Sequence, residues 1–404
     1  MGLLFKIALR NLTRQKRRTI LTGLVMFGGV LLLSISLGIQ EGGYGYVIDA
    51  FTGARTGHVQ IHAQGYLDKP SLYTNLKDPA SLLKKLAENR SVISYSPRVY
   101  GAALAFEDKK TTGAQIFGID LAQEDQLSKI GSRLAEGRFF REANEVVIGG
   151  GLQAILHSKL GDQLILVSQG ADGSIANDLY KIVGVLKGGV DAQNRMDCVM
   201  SLGDAQAFLG LGQRIHEVSL KAESYQKSRQ LAAQLSAEFA GQGFEIDPWQ
   251  VVEKEFYEFM LLDKQGGWVT YFVIILLVTL EVLNTVLMTI LEKTREFGLM
   301  KALGTSPAQV FWLILIETGL LATLASGLGI LVAWPLNDYF ASHGIPLPVA
   351  YDLGGVVMDK LVSEVSFLSM GLPFLVSFFT ALLVAMIPAY RASMIVPVKA
   401  LKSY

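Results

Sequence analysis

Few of the side chains that do chemistry in enzymes stand at working distances along this sequence. His58 and His62 are four residues apart, a spacing that places two imidazoles on one helix face for a metal ion. However, the run His58-Val59-Gln60-Ile61-His62 has the alternation of a strand and no third ligand accompanies it, so both histidines read as ordinary surface residues. Cys198 is the single cysteine. It has no internal disulfide partner and no histidine near it in sequence. There is no H-E-x-x-H, no G-x-S-x-G and no Gly-Lys pair, so neither a zinc protease, nor a serine hydrolase, nor a phosphate-cradling Walker A loop is encoded. The charged groups that stand out are of another kind. Glu281 and Glu317 interrupt long apolar runs, where an ionised carboxylate is costly and therefore a candidate functional group. Glu281 reads as a protonated acid bonded to a neighbouring helix, with a proton-relay or lipid-contacting role as the competing reading. Glu317, nearer the end of its run, is placed to pair with Lys301 or a lysine of the C-terminal tail. Finally, Leu291-Glu292-Lys293-Thr294-Arg295-Glu296-Phe297-Gly298-Leu299-Met300-Lys301-Ala302-Leu303-Gly304 alternates charged and apolar residues at helical spacing. A compact helix ending at Gly304 is expected there. Held between two membrane spans, such a helix reads as a lever, since whatever docks on it moves both; an ordinary charged turn is the other reading of the same spacing.

The elements that position these groups follow from the uneven spread of apolar residues. Half of the 404 residues are hydrophobic (50%), 18% are charged, and 36 basic residues balance 36 acidic ones. This excludes a disordered chain, a disulfide scaffold and a nucleic-acid binder with a basic excess. Four stretches reach the roughly 20 apolar residues needed to cross a bilayer: 20–39, 268–291, 311–334 and 367–389. The first is too long for a signal peptide and passes into Gln40-Glu41-Gly42-Gly43 rather than a cleavage site, so it reads as a retained anchor. Residues 40–267 have the pattern of a water-exposed α+β domain. Strand-like runs occur at His58–His62, Glu145–Ile148, Gln163–Val167 and Tyr180–Val185. A helix is opened by Asp78-Pro79 and ends before Asn89, and another runs from about Ser224 to Ala240, stopped by Gly241. Gln169 to Asp178 and Gly188 to Asn194 read as exposed loops.

Charge orients the spans. Residues 1–19 contain Lys6, Arg10, Arg14, Lys16, Arg17 and Arg18 and no acid; the tail from 390 adds Arg391, Lys399 and Lys402; the 292–310 connection adds Lys293, Arg295 and Lys301. The 335–366 connection is acidic, with Asp338, Asp352, Asp359 and Glu364 against Lys360. Basic residues in short loops mark the cytoplasmic side, so both termini and 292–310 belong inside and 40–267 outside. In residues 1–19, Lys6, Arg10, Arg14 and Arg17 form one helical stripe opposite Leu4, Phe5, Ala8, Leu9 and Leu12. This is the pattern of a helix lying on membrane lipids, and the same charges also set topology. Small residues recur every four positions at Gly319, Thr323, Gly327, at Ala325, Gly329, Ala333, and at Ser377, Ala381, Ala385, Ala389. They allow close helix approach, first of all within one chain.

The segment Glu292-Lys293-Thr294-Arg295-Glu296-Phe297-Gly298, followed by Lys301-Ala302-Leu303-Gly304, resembles the signature loop of the FtsX-like, MacB-type ABC transporter permeases, written E-R-T-R-E-I-G with K-A-L-G after it. Lys293 and Phe297 depart from that pattern. Pro388-Ala389-Tyr390-Arg391-Ala392-Ser393 and Pro397-Val398-Lys399-Ala400-Leu401 resemble the family's C-terminal ending, and Glu317 resembles a glutamate common in it. The resemblance extends along the whole chain. It implies four transmembrane α-helices with a large α+β extracytoplasmic domain, a MacB-like periplasmic core, between spans 1 and 2. It further implies a bacterial inner-membrane protein that has no cofactor of its own and is not an enzyme. ATP and Mg would be used by a separate cytoplasmic ABC ATPase dimer, docked at Glu292, Lys293, Arg295, Glu296, Gly298, Lys301 and Gly304, and a second permease chain, identical or paralogous, would meet this one in the membrane.

The layout, with Gly57–His62 and Gly65-Tyr66 opening the external domain, resembles the subgroup of lipoprotein-releasing permeases. A periplasmic lipoprotein carrier is then a further partner, although Gln169 to Asp178 is short and polar for a carrier-binding hairpin. Tripartite efflux and activation of a cell-wall hydrolase are the alternatives, and the large external domain speaks against the second.

Overall fold

The computed structural model describes residues 2–14, 16–187, 194–353 and 356–396. The expected loop at 188–193 and the tail from 397, with Lys399 and Lys402, lie outside the described residues. The chain divides into two compact units: Met1–Gly45 with Met260–Pro348 and Asp359–Tyr404, and Tyr46–Phe259 with Val349–Met358.

The chain opens with helix α1 (Gly2–Arg14) and helix α2 (Lys16–Phe51). The second, mostly β, unit follows in the order β1 (Val59–Ala63), α3 (Pro79–Glu88), β2 (Ser94–Glu107), β3 (Lys110–Ile119), α4 (Leu121–Ser128), β4 (Leu134–Gly137), β5 (Glu145–Gly149), α5 (Gly150–Leu156), β6 (Gln163–Gln169), β7 (Ile175–Leu186), β8 (Asp197–Ser201), α6 (Leu202–Phe208), β9 (Glu217–Lys221), α7 (Ser228–Glu238), β10 (Phe244–Pro248) and α8 (Trp249–Val252). The strands form one sheet in the order β10-β1-β9-β2-β3-β8-β5-β7-β4, with β6 pairing both β2 and β7. Because β6 bridges those two, the six strands β2, β3, β8, β5, β7 and β6 close a circuit and leave no free edge among themselves. Two pairings, β3 with β8 and β5 with β7, are parallel. Each therefore needs a long crossover between its strands. Val59, Ile61, Val99, Ile116, Ile148, Leu164, Leu166, Val218 and Leu220 are fully buried or nearly so and share one core with Leu82 and Leu86 of α3 and Leu231 and Leu235 of α7. A fully buried side chain of this size contributes about 1.5–3 kcal/mol.

The helix opened by Asp78-Pro79 is α3, with Asn89 at its C-cap, although the Asp78 side chain makes no capping bond. The second expected helix is α7, preceded by a short 3-10 turn at Tyr225–Lys227. Gln169 to Asp178 is not wholly a loop. It is the tip of the β6–β7 hairpin, and Ile175–Asp178 already pair with Leu166–Gln169.

The long helices are α2, α9 (Lys254–Ala302), α10 (Pro307–His343) and α11 (Phe367–Ser393), and all four are long and apolar enough to cross a membrane. A hairpin of β11 (Ile345–Leu353) and β12 (Val356–Leu361) joins α10 to α11. The helices outrun their apolar stretches, α2 passing through Gly42, Gly43 and Gly45 and α9 through Gly266 and Gly267, so intrinsic propensity does not account for their length. At 1.5 Å per residue α9 spans ~73 Å, against ~30 Å of hydrocarbon. α10 passes through Pro335 without ending. Close packing inside this unit uses the small residues: Ala325, Ala333, Ala381, Ala385 and Ala389 are buried, Ser326 Oγ donates to Ser377 Oγ (3.2 Å), and a Cβ on Gly329 would meet Val30 at 3.1 Å. The Gly319 row is less committed, since Thr323 is exposed and nothing approaches Gly327.

Candidate functional site

The charged segment is not a separate helix. It is the last three turns of α9, which runs without a break to Ala302. The helix is closed by a Schellman arrangement. Thr305 N donates to Met300 O (3.0 Å), Gly304 N donates to Lys301 O (3.1 Å), and Gly304 takes φ +98°, a conformation that costs a residue with a side chain about 1–2 kcal/mol. Ser306 and Gln309 then form a capping box on α10, with Pro307 in its first turn. Only Leu303 to Ser306 separate two helices, so the corner is tight.

The helical period sorts the segment into two faces. Glu292, Arg295, Glu296, Leu299, Ala302 and Leu303 are exposed, Leu303 at 80%. Lys293, Phe297 and Gly298 are buried. Of the seven expected docking residues, Glu292, Arg295, Glu296 and Gly304 lie on the surface; Lys293 and Gly298 do not. Lys301 is half-buried, and its ammonium donates to Ser393 O and Ile395 O (2.7 Å each), satisfying carbonyls at the end of α11. The exposed face therefore pairs charges with two bare leucines, a composition suited to docking another protein.

Glu317 does not pair with Lys301. Lys293 takes it: Nζ donates to Oε1 (2.9 Å) and Oε2 (3.2 Å), and Asn11 Nδ2 of α1 donates to Oε2 (3.2 Å). Phe297, four residues on and buried, is the sequence signal that Lys293 faces inward. Glu281 is half-buried, and among the described residues no bond from it to a neighbouring helix is seen. On α1, Ala8 and Leu12 are buried while Phe5 and Leu9 remain exposed beside Lys6 and Arg10.

Sequence reasoning missed a buried ionic cluster in the β unit. Arg98 on β2 donates from Nε and Nη2 to Glu124 of α4 (2.9 and 2.7 Å) and from Nη1 to Glu217 of β9 (2.9 Å). Tyr100 Oη donates to Glu217 at 3.4 Å, and His62 Nε2 lies 3.4 Å from the same carboxylate. Burial alone would push both carboxyls up, but Arg98, joined at Glu217 by His62, holds them below the usual range. His58 and His62 are not surface residues. They are 6% and 0% exposed because β1 is an inner strand between β10 and β9. His58 Nδ1 accepts from Ala222 N (3.1 Å), and burial, with Lys221 nearby, lowers its imidazole to about 4. No periodicity links positions 62, 98, 124 and 217; the pairing of β1, β9 and β2 and the packing of α4 bring them together. Cys198 is buried in β8, and burial pushes its thiol up to about 12, far from a reactive thiolate. Among the described residues no cluster of three His, Cys, Asp or Glu side chains is placed to hold a metal.

Four membrane-length helices, an α+β unit encoded between the first two, and an exposed amphipathic corner between the second and third define the class, a multi-pass membrane protein. Residues 19–238 match the MacB-like periplasmic core domain and residues 268–397 the FtsX-like permease C-terminal domain. The chain belongs to the FtsX-like, MacB-type family of ABC transporter permeases. It is 23% identical over 420 residues, covering 98% of each chain, to the lipoprotein-releasing system transmembrane protein LolC of Neisseria meningitidis serogroup B. To LolE of the same system in Haemophilus influenzae it is 25% identical over 340 residues, 80% of each chain. Among solved structures it is similar to the periplasmic region of MacB from Actinobacillus actinomycetemcomitans, at 17% identity and a TM-score of 0.38 over 52% of this chain and 97% of that one. A permease of this family is the membrane subunit of an ABC transporter and works with a separate ATPase.

Proposed function

We propose that this chain is the permease of an ATP-driven complex that releases lipoproteins from the bacterial inner membrane toward the outer membrane. One observation carries the substrate class: the chain aligns over 98% of its own length, and 98% of its relative's, with a protein of a lipoprotein-releasing system. In this reading 20–39, 268–291, 311–334 and 367–389 lie in the bilayer, 40–267 and 335–366 face the periplasm, and 1–19, 292–310 and 390–404 face the cytoplasm. An ATPase dimer, which binds and spends ATP with Mg, docks on Glu292, Arg295, Glu296 and the exposed leucines. A second permease chain completes the membrane part, and a soluble carrier shields the acyl chains after release. The protein catalyses no covalent step. Binding and hydrolysis of ATP change the shape of the docked motor, and α9 and α10, joined by four residues, move together with it.

Depletion of the chain in its native cell should leave acylated outer-membrane proteins in the inner-membrane fraction, at least several-fold over wild type by density-gradient fractionation. Normal sorting would overturn the substrate assignment. Drug or peptide efflux is the second reading, favoured by the match to the MacB-like core domain. Unchanged lipoprotein sorting together with sensitivity to exported compounds would select it.

A further inference from the structure

We propose that Lys293, Glu317 and Asn11 form the internal joint that passes motion of the docking corner to helices α1 and α10, and that they are positioning residues for the ATP-driven step. The inference rests on the proposed ATPase docking at the end of α9 and adds the route by which force leaves that surface. Lys293 sits inside the docking segment but is buried, 4% exposed, while Arg295 and Glu296 are exposed. Its ammonium crosses from α9 to the Glu317 carboxylate of α10 (2.9 and 3.2 Å), and Asn11 of α1 binds the same carboxylate (3.2 Å). Three helices thus meet at one side chain, within two turns of the exposed charges.

The packing beside this point explains why a polar joint is needed. Leu12, Thr19, Thr22, Thr285, Thr289 and Glu317 contribute to a cavity of about 40 Å³ between α1, α2, α9 and α10. Met26, Val282, Val286, Ile314 and Leu321 line it too, so it is a gap of mixed polar and apolar walls with room for a few waters rather than a filled seam. Where α10 meets α11, by contrast, alanines at 381, 385 and 389 are fully buried and the helices are locked by shape. Beside the cavity α9 is held both by the directional bonds of Lys293 and by Val282, Val286 and Ile290, which share an apolar core with Ile314 of α10. A buried ion pair adds little net stability over a well-packed apolar pair, but removing one partner strands a charge. Its asset is geometry: one carboxylate engaged by two donors fixes the relative positions of three helices, and a displacement of Lys293 pulls on both others.

The test uses the full chain with its ATPase and companion permease in lipid nanodiscs, a purified triacylated lipoprotein as probe, and ATP hydrolysis and release measured together. Glu317→Gln and Lys293→Met should lower release per ATP hydrolysed by about tenfold, and Asn11→Ala, a milder change, by about threefold. The exchanged pair Lys293→Glu with Glu317→Lys should recover most of the yield, and ATP hydrolysis that stays near wild type in the single variants while release falls separates lost transmission from a merely structural loss. Wild-type yield in all three single variants overturns the joint. So does an exchanged pair no better than the singles while the complex stays assembled. If Glu317→Gln and Lys293→Met fail to insert, Asn11→Ala decides alone, with wild-type yield overturning the joint. A wild-type chain that retains no ATPase overturns the docking assignment along with the joint, and this distinguishes the two failures.

Discussion

At the scale of single residues, the instructive cases are charges whose partners lie far away in sequence. Arg98 satisfies Glu124 and Glu217 across distances of 26 and 119 residues, and burial makes each of these groups dependent on the others. The β unit should consequently be acid-sensitive in two stages. His58 has a folded pKa of about 4, below the ordinary 6.5. Between those values the unfolded chain binds a proton that the folded chain does not, and stability falls as pH drops. Below about 4.5 the same sign holds for Glu124 and Glu217, and for Glu145, which hydrogen bonds from Arg138 hold at about 2. Thermal melts of the detergent-solubilised full chain should show the transition of the β unit lowered by roughly 5 °C between pH 7 and 4.5. His58→Gln should flatten that part of the curve. A midpoint flat over this range in the unaltered protein would refute the assignment of His58.

At the scale of elements, the end of α9 shows how a helix divides a motif between two tasks. The contiguous string read as one docking surface is split by the 3.6-residue period: Glu292, Arg295 and Glu296 look outward and Lys293 inward. The period was available in the sequence, since Phe297 follows Lys293 by four. What the string alone lacked was the identity of the neighbour, because Glu317 and Asn11 come from other helices. Reversing the exposed charges, Arg295→Glu with Glu296→Arg, should reduce co-purification of the ATPase at least about tenfold while leaving expression of the chain intact. Undiminished capture would remove the corner from the docking interface. The ion pair of Glu296 with Arg14, at 3.7 Å, joins two exposed side chains and contributes little, so the substitution spares the fold.

At the scale of the whole molecule, zero net charge is a cancellation. Segments assigned to the cytoplasm hold 12 basic and 2 acidic residues, while 40–267 holds 23 basic and 28 acidic. That asymmetry predicts sidedness. A cysteine at the exposed position Lys159 should react with an impermeant maleimide added to spheroplasts, and one at Ala308 should react only after permeabilisation; the reverse pattern would invert the topology. Buried Cys198 stays silent in both. The sequence by itself determined the four apolar helices, the α+β insertion and the charged corner between the second and third of those helices, because each is a contiguous run whose length, period or composition carries the signal. Only the tertiary structure decided that His58 and His62 are interior, that Arg98 joins two carboxylates, and that Lys293 turns from the exposed face to bind Glu317. Burial and ion pairing depend on which strands and helices become neighbours, and that is set by the packing of the entire core rather than by any local stretch of chain.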